Sequence, residues 1–377
     1  ALSRRDDVDL YCFDVNDSLQ SLDAALAVAD VVYHLAGVNR PHDDSEFIQG
    51  NRDLTEQILL RLKSLDRKPV FVLSSSTQEE LDSPYGKSKR AAEDCALDYQ
   101  RQSAAAVCIY RLPGVFGKWS RPNYNTVVAT FCYNIARDLD ISISDPGHQI
   151  ELAYVDDVIA AFLSHLDAGP DSKTQYYAVA RTFHVRLGEL ADRIRHLKEM
   201  RRTLLIPDLT DEFMKCLQAT YLSFLPEDDF AYAADLKKDS RGCLFELIKG
   251  ESFGQIFVSK SLPGVIRGNH YHDTKLEKFC VIQGEAIIRF RRLDSEDVLE
   301  YRVDDQRIKI VDIPPGYTHS IENTGKKEMV CLFWANQIFA PVAPDTYFEE
   351  AEGHDSCGDS TGDYSIVAGP CQAGSVC

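Results

Sequence analysis

Between Gly264 and Gly284 the chain reads Gly-Val-Ile-Arg-Gly-Asn-His-Tyr-His-Asp-Thr-Lys-Leu-Glu-Lys-Phe-Cys-Val-Ile-Gln-Gly, and this order constrains the fold more than any other stretch. His270 and His272 stand two apart, with Glu277 five further on. On a strand, residues i and i+2 face the same way, so both imidazoles look into one cavity. Glu277 opens the next strand, which continues as Phe279–Gln283, turns at Gly284 and returns as Ala286–Phe290. Pro314-Pro315-Gly316-Tyr317-Thr318-His319 then places a third imidazole just after a tight turn, and Asn323 closes the segment. Three histidines and one carboxylate form an N/O ligand set for a first-row divalent metal, zinc and iron being the usual occupants. A lone His-x-His on a strand is more often structural than metallic. Glu277, the glycines and the second half at the proper distance favour the metal.

From about Phe230 to Glu350 the pattern is one of short strands separated by Gly, Pro and Asp turns. Cys243–Ile248, Gly254–Ser259, Lys278–Ile282, Ala286–Arg291, Lys309–Ile313 and Met329–Ala335 are the expected strands. Short strands at this spacing predict an all-β, double-sheet jelly roll. The two-part motif resembles, position for position, the signature of the cupin superfamily.

The first 228 residues follow a different rule. A short strand is expected at Leu10–Phe13, then an amphipathic helix over 18–28 with Leu19, Leu22, Ala25 and Leu26 on one side. Val31 to Gly37 is a continuous apolar strand ending at glycine, as a buried parallel strand should. A helix from about Ser45 to Leu65, a strand Val70–Leu73 ending in Ser74-Ser75-Ser76, a helix Ser88–Gln102, a strand Ala106–Tyr110 and a helix Val127–Arg137 continue the alternation. Such alternation predicts a Rossmann-like, doubly wound parallel sheet with helices on both faces. Residues 186–228 are helical in pattern, and Pro226 with the acidic run Glu227–Asp229 makes a linker. The expected organisation is therefore an α/β domain over 1–228, the cupin over 229–352 and a tail over 353–377. The tail is rich in Gly, Ser and Asp, lacks periodicity and holds Cys357, Cys371 and Cys377. It reads as a disordered extension, with a metal or redox role for the three cysteines as the alternative.

Chemistry concentrates at the strand ends. Tyr85 and Lys89 stand four apart at a helix start and so share one face. A neighbouring ammonium is expected to lower the phenol pKa and make Tyr85 a proton donor near neutrality. Ser76 leaves the preceding strand end, placed to hold a substrate carbonyl. Tyr-x-x-x-Lys alone is a weak pattern; its place after the Ser-Ser-Ser and His-Leu-Ala-Gly strand ends sharpens it. Two polar loops, Asn39-Arg40-Pro41 and Gly117 to Asn125, leave the same edge of the sheet. By themselves they read equally well as ordinary solvated loops.

These pieces resemble the extended short-chain dehydrogenase/reductases that act on nucleotide sugars. The match runs through Asp14, Leu35-Ala36-Gly37, Asn51, Ser76, Tyr85, Lys89, Arg111-Leu112-Pro113 and Tyr154-Val155-Asp156-Asp157. The resemblance implies that Ser76, Tyr85 and Lys89 move hydride to or from a sugar carbon with a nicotinamide. It places Asp14 near adenine, and Leu35, Ala36, Gly37, Arg111, Leu112 and Pro113 along the dinucleotide. It also sets Asn39, Arg40, Asn123 and Asn125 beside the nucleotide sugar. One element departs from the pattern. The Gly-rich turn that seats a cofactor pyrophosphate on a helix N-terminus is not in the sequence. The expectation is that the chain is a piece of a longer gene product, whose codons upstream of Ala1 encode a strand followed by Gly-x-x-Gly-x-x-Gly; a reductase half decayed into a scaffold is the alternative.

A reductase pattern joined to a complete cupin is an uncommon pairing. Over nearly all of residues 1–350 it resembles the CapF-type bifunctional enzymes of bacterial capsular polysaccharide and O-antigen synthesis. Gly117-Lys118-Trp119, Pro122-Asn123-Tyr124-Asn125, Ala129-Thr130-Phe131-Cys132-Tyr133, Arg267-Gly268-Asn269-His270 and Pro344-Asp345-Thr346-Tyr347-Phe348 carry that likeness. The resemblance implies a Zn²⁺ cupin that epimerises a UDP-4-keto-6-deoxy-HexNAc at C3. NADPH-dependent reduction at C4 then gives UDP-2-acetamido-2,6-dideoxy-L-talose, on the route to UDP-N-acetyl-L-fucosamine, in a homodimer. Two other classes stay open: a non-catalytic sugar-nucleotide scaffold, and an iron cupin oxygenase built on the same His/Glu set. Composition narrows the field further. With 59 acidic against 41 basic residues the net charge is −18, and no basic stripe offers a nucleic-acid surface. No apolar run approaches a membrane span. Eight of the eleven cysteines lie in apolar, element-like segments and no Cys-x-x-Cys occurs, so free thiols in a reducing cytoplasm are expected.

Overall fold

The computed structural model describes residues 1–167, 175–342 and 344–351; the expected tail, 353–377, lies outside them. The chain forms two compact units. One comprises Ala1–Lys198 and Asp211–Glu227, the other Glu199–Thr210 and the residues from Asp228 on.

The first unit is built on a parallel sheet in the order Val31–His34, Val70–Ser76, Val107–Leu112, Tyr176–Tyr177. Side chains alternate across it as strand geometry demands. Phe71 and Leu73 meet Leu22, Leu26, Ile58, Leu62 and Tyr99 on one face. Val72, Cys108 and Tyr110 meet Val158 and Phe162 on the other. This is the doubly wound arrangement expected from sequence. A smaller sheet joins Gly114–Phe116 in parallel to Gln149–Tyr154, which pairs antiparallel with Phe183–Arg186. No helix among the described residues is long and apolar enough to cross a membrane.

Three local expectations need correcting. Leu10–Phe13 is not a strand, and Leu10, Tyr11 and Phe13 are exposed. A strand needs a ladder partner and an apolar face to cover; among the described residues no strand lies beside the outer edge of Val31–His34, and its first three residues are only half-buried. The helix from Ser45 is not uniform: Ile48–Asp53 widens into a π-turn that carries Asn51 into the interior. The next helix, Pro84–Ser103, starts four residues earlier than the pattern suggests. Ser83 accepts from the Gly86 N–H at 3.0 Å, and Pro84 takes the first helical position, where no N–H is needed.

The two sheets of the second unit are antiparallel throughout. Its six-stranded sheet runs Ile310–Ile313, Glu277–Gln283, Met329–Ala335, Gly254–Ser261, Gly242–Gly250, Lys237–Asp239. A five-stranded sheet runs Val298–Asp304, Glu285–Arg292, Tyr317–Asn323, Ile266–Tyr271, Tyr347–Phe348. Phe257, Phe279 and Phe333 from the first pack with Ile288, Phe290 and Ile321 from the second in one core. Such facing sheets make the jelly roll expected from the sequence. The unit also includes Leu204–Ile206, which bonds to Lys249 through Lys249 N–H to Leu204 O at 2.8 Å and Ile206 N–H to Lys249 O at 2.9 Å.

Candidate functional site

The histidine motif folds as a bridge between the two sheets of the second unit. His270 lies on Ile266–Tyr271, directly opposite His319 on Tyr317–Asn323. The alignment depends on a bulge: the register shifts between Gly268 and His270, where Gly268 and Asn269 have φ of 97° and 59°. A Cβ on Gly268 would fall 2.7 Å from the His319 carbonyl oxygen, so only glycine fits there. His272 follows the strand, and the Gly316 N–H bonds to its carbonyl at 2.9 Å, tying the Pro-Pro-Gly turn to the first half of the motif. Glu277 begins a strand of the opposite sheet.

The four side chains are buried, and one ligand atom from each lies within 4.8 Å of all the others. Glu277 Oε2 is 3.4 Å from His272 Nε2 and 3.5 Å from His319 Nε2. Ligands at about 2.0–2.1 Å from a tetrahedral zinc stand roughly 3.3 Å apart, close to these separations. His270 Nδ1, His272 Nε2 and His319 Nε2 are buried without a hydrogen-bond donor or acceptor to satisfy them. Buried polar nitrogens are rarely left so, and a shared cation would satisfy all three. Carbonyls hold the other nitrogens of two rings: His272 Nδ1 bonds to Asp345 O, and His319 Nδ1 lies 3.3 Å from Tyr317 O. A carbonyl has no proton to give, so Nδ1 carries it and Nε2 keeps its lone pair. Burial would raise the Glu277 carboxyl, but the neighbouring His272 and His319 rings outweigh this and hold it well below the usual carboxylate range. Burial, then His319, pushes His270 down to about 3, so it is neutral and ready to ligate near neutrality. The residues fit a first-row divalent ion.

In the first unit, Ser76, Tyr85 and Lys89 come together at the ends of the central strands. Tyr85 packs its ring against Phe47 at 5.7 Å between centroids, with Lys89 Nζ 6.0 Å from the Tyr85 centroid. Lys89 Nζ donates to Ser74 O at 3.1 Å. The phenol departs from expectation: burial raises its pKa, and the hydrogen bond with Ser76 offsets only part of that. No lowering by Lys89 is found. The ammonium is itself pushed down to about 8 by burial, against the field of Glu93.

Leu35, Ala36 and Gly37 leave the Val31–His34 strand as an exposed turn. Asn51 pins that turn to the Tyr85 helix. Its amide accepts from Val38 N–H at 3.0 Å and donates to Val38 O and Ser88 Oγ, both at 2.9 Å. Asp14 caps an exposed turn, accepting from Val15 N–H at 2.7 Å. Arg111 is already paired, 2.7 Å from both Glu79 Oε1 and Glu93 Oε2, with its guanidinium 4.4 Å above the Tyr176 ring. Leu112 is buried, and Pro113 lines an open recess of about 320 Å³ with Thr77, Arg111, Tyr176 and Thr182. Arg40 reaches the second loop, 5.6 Å from the Tyr124 ring. Asn39 and Asn125 are exposed, while Asn123 turns toward Asn134, Nδ2 to Oδ1 at 3.2 Å.

Residues 1–180 match the NAD dependent epimerase/dehydratase family, and residues 237–347 match the polysaccharide biosynthesis C-terminal domain. A UDP-2-acetamido-2,6-beta-L-arabino-hexul-4-ose reductase of Pseudomonas aeruginosa is 39% identical over 346 residues, 92% of this chain and 93% of that one. The crystal structure of the capsular polysaccharide assembling protein CapF from Staphylococcus aureus superposes with a TM-score of 0.83 and 43% identity, covering 89% of this chain and 91% of that one. The chain belongs to the CapF family. A CapF structure with the inhibitor 3-isopropenyl-tropolone is likewise similar, with a TM-score of 0.79 and 38% identity over 89% of this chain and 90% of that one.

Within this CapF-family chain, one group near Lys89 escaped the sequence reading. Glu93, one helical turn after Lys89, is 1% exposed and bonds Ser75 and Arg111. Its i+4 spacing from Lys89 was the available signal. Gly37 was expected along the cofactor, but its tightness was not: a Cβ there would stand 2.6 Å from Asn51 Oδ1 and 3.2 Å from Lys89 Nζ. Gly37→Ala is therefore expected to cost roughly 1–3 kcal/mol, by overpacking a site whose neighbour is fixed by three hydrogen bonds. Urea denaturation reads this, and an unchanged midpoint would mean the turn relaxes freely.

Proposed function

We propose that this chain is a bifunctional nucleotide-sugar enzyme. Its cupin epimerises a UDP-2-acetamido-2,6-dideoxy-4-hexulose at C3, and its α/β unit then reduces C4 with NADPH, giving UDP-2-acetamido-2,6-dideoxy-L-talose for capsular polysaccharide synthesis. The observation that carries this reading is the pairing of two preformed centres in one chain. One is a buried His270–His272–Glu277–His319 set with three unsatisfied nitrogens; the other is Ser76, Tyr85 and Lys89 at the strand ends. The Pseudomonas aeruginosa relative, named as a hexul-4-ose reductase, supports the substrate class.

His270, His272, Glu277 and His319 would hold Zn²⁺, which supplies Lewis-acid polarisation of a substrate carbonyl oxygen when bound. The residues themselves are buried and present three imidazoles beside one ionised carboxylate. Substrate chemistry sets the order of steps. The C3 proton is removable only while C4 is a ketone, because the carbanion left behind needs that carbonyl to delocalise into. Reduction at C4 closes the route, so the cupin, though second along the chain, acts first.

In the α/β unit Tyr85 keeps its proton at neutral pH because burial holds its pKa up, and Ser76 orients the hydroxyl. Tyr85 would give its proton to the C4 oxygen as charge develops there, and a bound reduced nicotinamide would supply the hydride. Lys89, whose ammonium lies close to Gly37, would help hold the nicotinamide cofactor. The eight described cysteines are all free, which supports a reducing, cytoplasmic setting. The working form is a homodimer.

The test is product analysis with the 4-keto sugar nucleotide in D₂O. Without nicotinamide, deuterium should enter C3 only; with NADPH, the 4-hydroxy L-talo product should accumulate. Exchange at C3 that requires NADPH would overturn the assigned order.

A further inference from the structure

His272 follows a strand of one sheet and Glu277 opens a strand of the other, and four residues, Asp273 to Leu276, must hold them at ligating distance. A short connection exposed to water does not keep such a distance unaided. The side chain that fixes it lies far along the sequence. Asp345 Oδ1 accepts from the Asp273 N–H at 2.9 Å; its Oδ2 accepts from the Thr274 N–H, the Thr274 hydroxyl and the Lys275 N–H, each at 2.8 Å. Three successive backbone N–H groups thus converge on one carboxylate, as they do in a backbone nest around an anion. The main-chain carbonyl of the same residue accepts from His272 Nδ1–H. One residue therefore fixes both the loop between the two ligands and the ring orientation of the first.

The next residues extend the clasp. Thr346 Oγ1 lies 3.2 Å from the buried Lys275 Nζ. Tyr347–Phe348 pairs with the His270 strand, Phe348 opposite His270 and Tyr347 opposite Tyr271. Glu349 N–H donates to Asn269 O at 3.0 Å, and its carbonyl accepts from Thr318 Oγ1, beside His319. The segment from Asp345 to Glu349 touches the chain within two residues of every proposed ligand.

We propose that Asp345 is a positioning residue for the metal centre, setting the span from His272 to Glu277 and fixing His272 in the tautomer that turns Nε2 inward. This rests on the metal reading given under Proposed function. The test uses the whole chain with Asp345→Ala and Asp345→Asn. Asn retains one carbonyl acceptor in place of two carboxylate oxygens, and both variants keep the main-chain carbonyl. Two readouts separate positioning from general stability. Co²⁺ uptake against a competing chelator should weaken about 10–100-fold in the alanine variant, with a changed d–d spectrum, and by less in the asparagine variant. Hydrogen exchange, measured without metal, should lose protection at the amides of Asp273, Thr274 and Lys275 but not in the Met329–Ala335 strand. If Asp345→Ala fails to fold, the asparagine variant decides by the same readouts. A wild type that binds Co²⁺ beside variants with unaltered affinity, spectrum and exchange overturns the role of Asp345 alone. A wild type that takes up no Co²⁺ overturns the metal reading and this role together.

Discussion

His270→Ala is expected to abolish nicotinamide-independent deuterium uptake at C3 of the 4-keto substrate, and with it stoichiometric divalent metal. The magnitude follows from ligation. Losing a group one shell outside a metal costs about 10–100-fold in affinity or activity, so losing a ligand should exceed a hundredfold. His270 is the best of the four to remove. Glu277 is held ionised by His272 and His319, which remain in place, so the variant does not strand a buried carboxylate. His272→Ala and His319→Ala should lose stability as well as metal. Elemental analysis paired with mass-spectrometric exchange decides the matter, and a His270→Ala protein that keeps both its metal and its exchange removes the cupin from the chemistry.

The second large effect lies at Tyr85. Tyr85→Phe removes one oxygen and leaves the ring against Phe47, so the fold should be preserved. Reduction at C4 should nevertheless fall by at least about a hundredfold, the usual loss when a positioned general acid is deleted. Exchange at C3 should continue undiminished. In the wild type the reductase rate should also fall as pH rises past about 8, where Lys89 gives up its proton. NADPH consumption measures both. A phenylalanine variant with wild-type reduction would take Tyr85 out of the mechanism.

Much of this was legible in the residues because the determinants are local. Two imidazoles at strand spacing, a carboxylate at the start of the next strand and glycines at the turns bring His270, His272 and Glu277 together with little long-range information. Leu10–Phe13 shows the limit of such patterning. Its sequence suits a strand, but strand formation is a property of pairs, and no neighbour among the described residues completes it. The sign of the Tyr85 shift failed for a related reason. Sequence places a cation four residues away but says nothing of burial, and burial dominates both the phenol and the ammonium. The bonding role of Asp345 was invisible because its carbonyl and carboxylate serve residues about 70 positions earlier, a relation that no spacing rule encodes.

The membership of Glu199–Thr210 in the second unit bears on how such a protein can be taken apart or assembled by evolution. A gene fragment opening at residue 228 would look like a tidy cupin. It would nonetheless deprive Lys249 of both its bonds to Leu204 and Ile206. It would also remove Arg201, which pairs with Asp229 at 2.7 Å and covers the Tyr232 ring at 4.8 Å. The polypeptide passes from one unit to the other and back before its final crossing, so neither unit is one continuous stretch of sequence. Recombination at a single point cannot exchange one without tearing the other, and a transplanted cupin must bring its distant twelve-residue strip along.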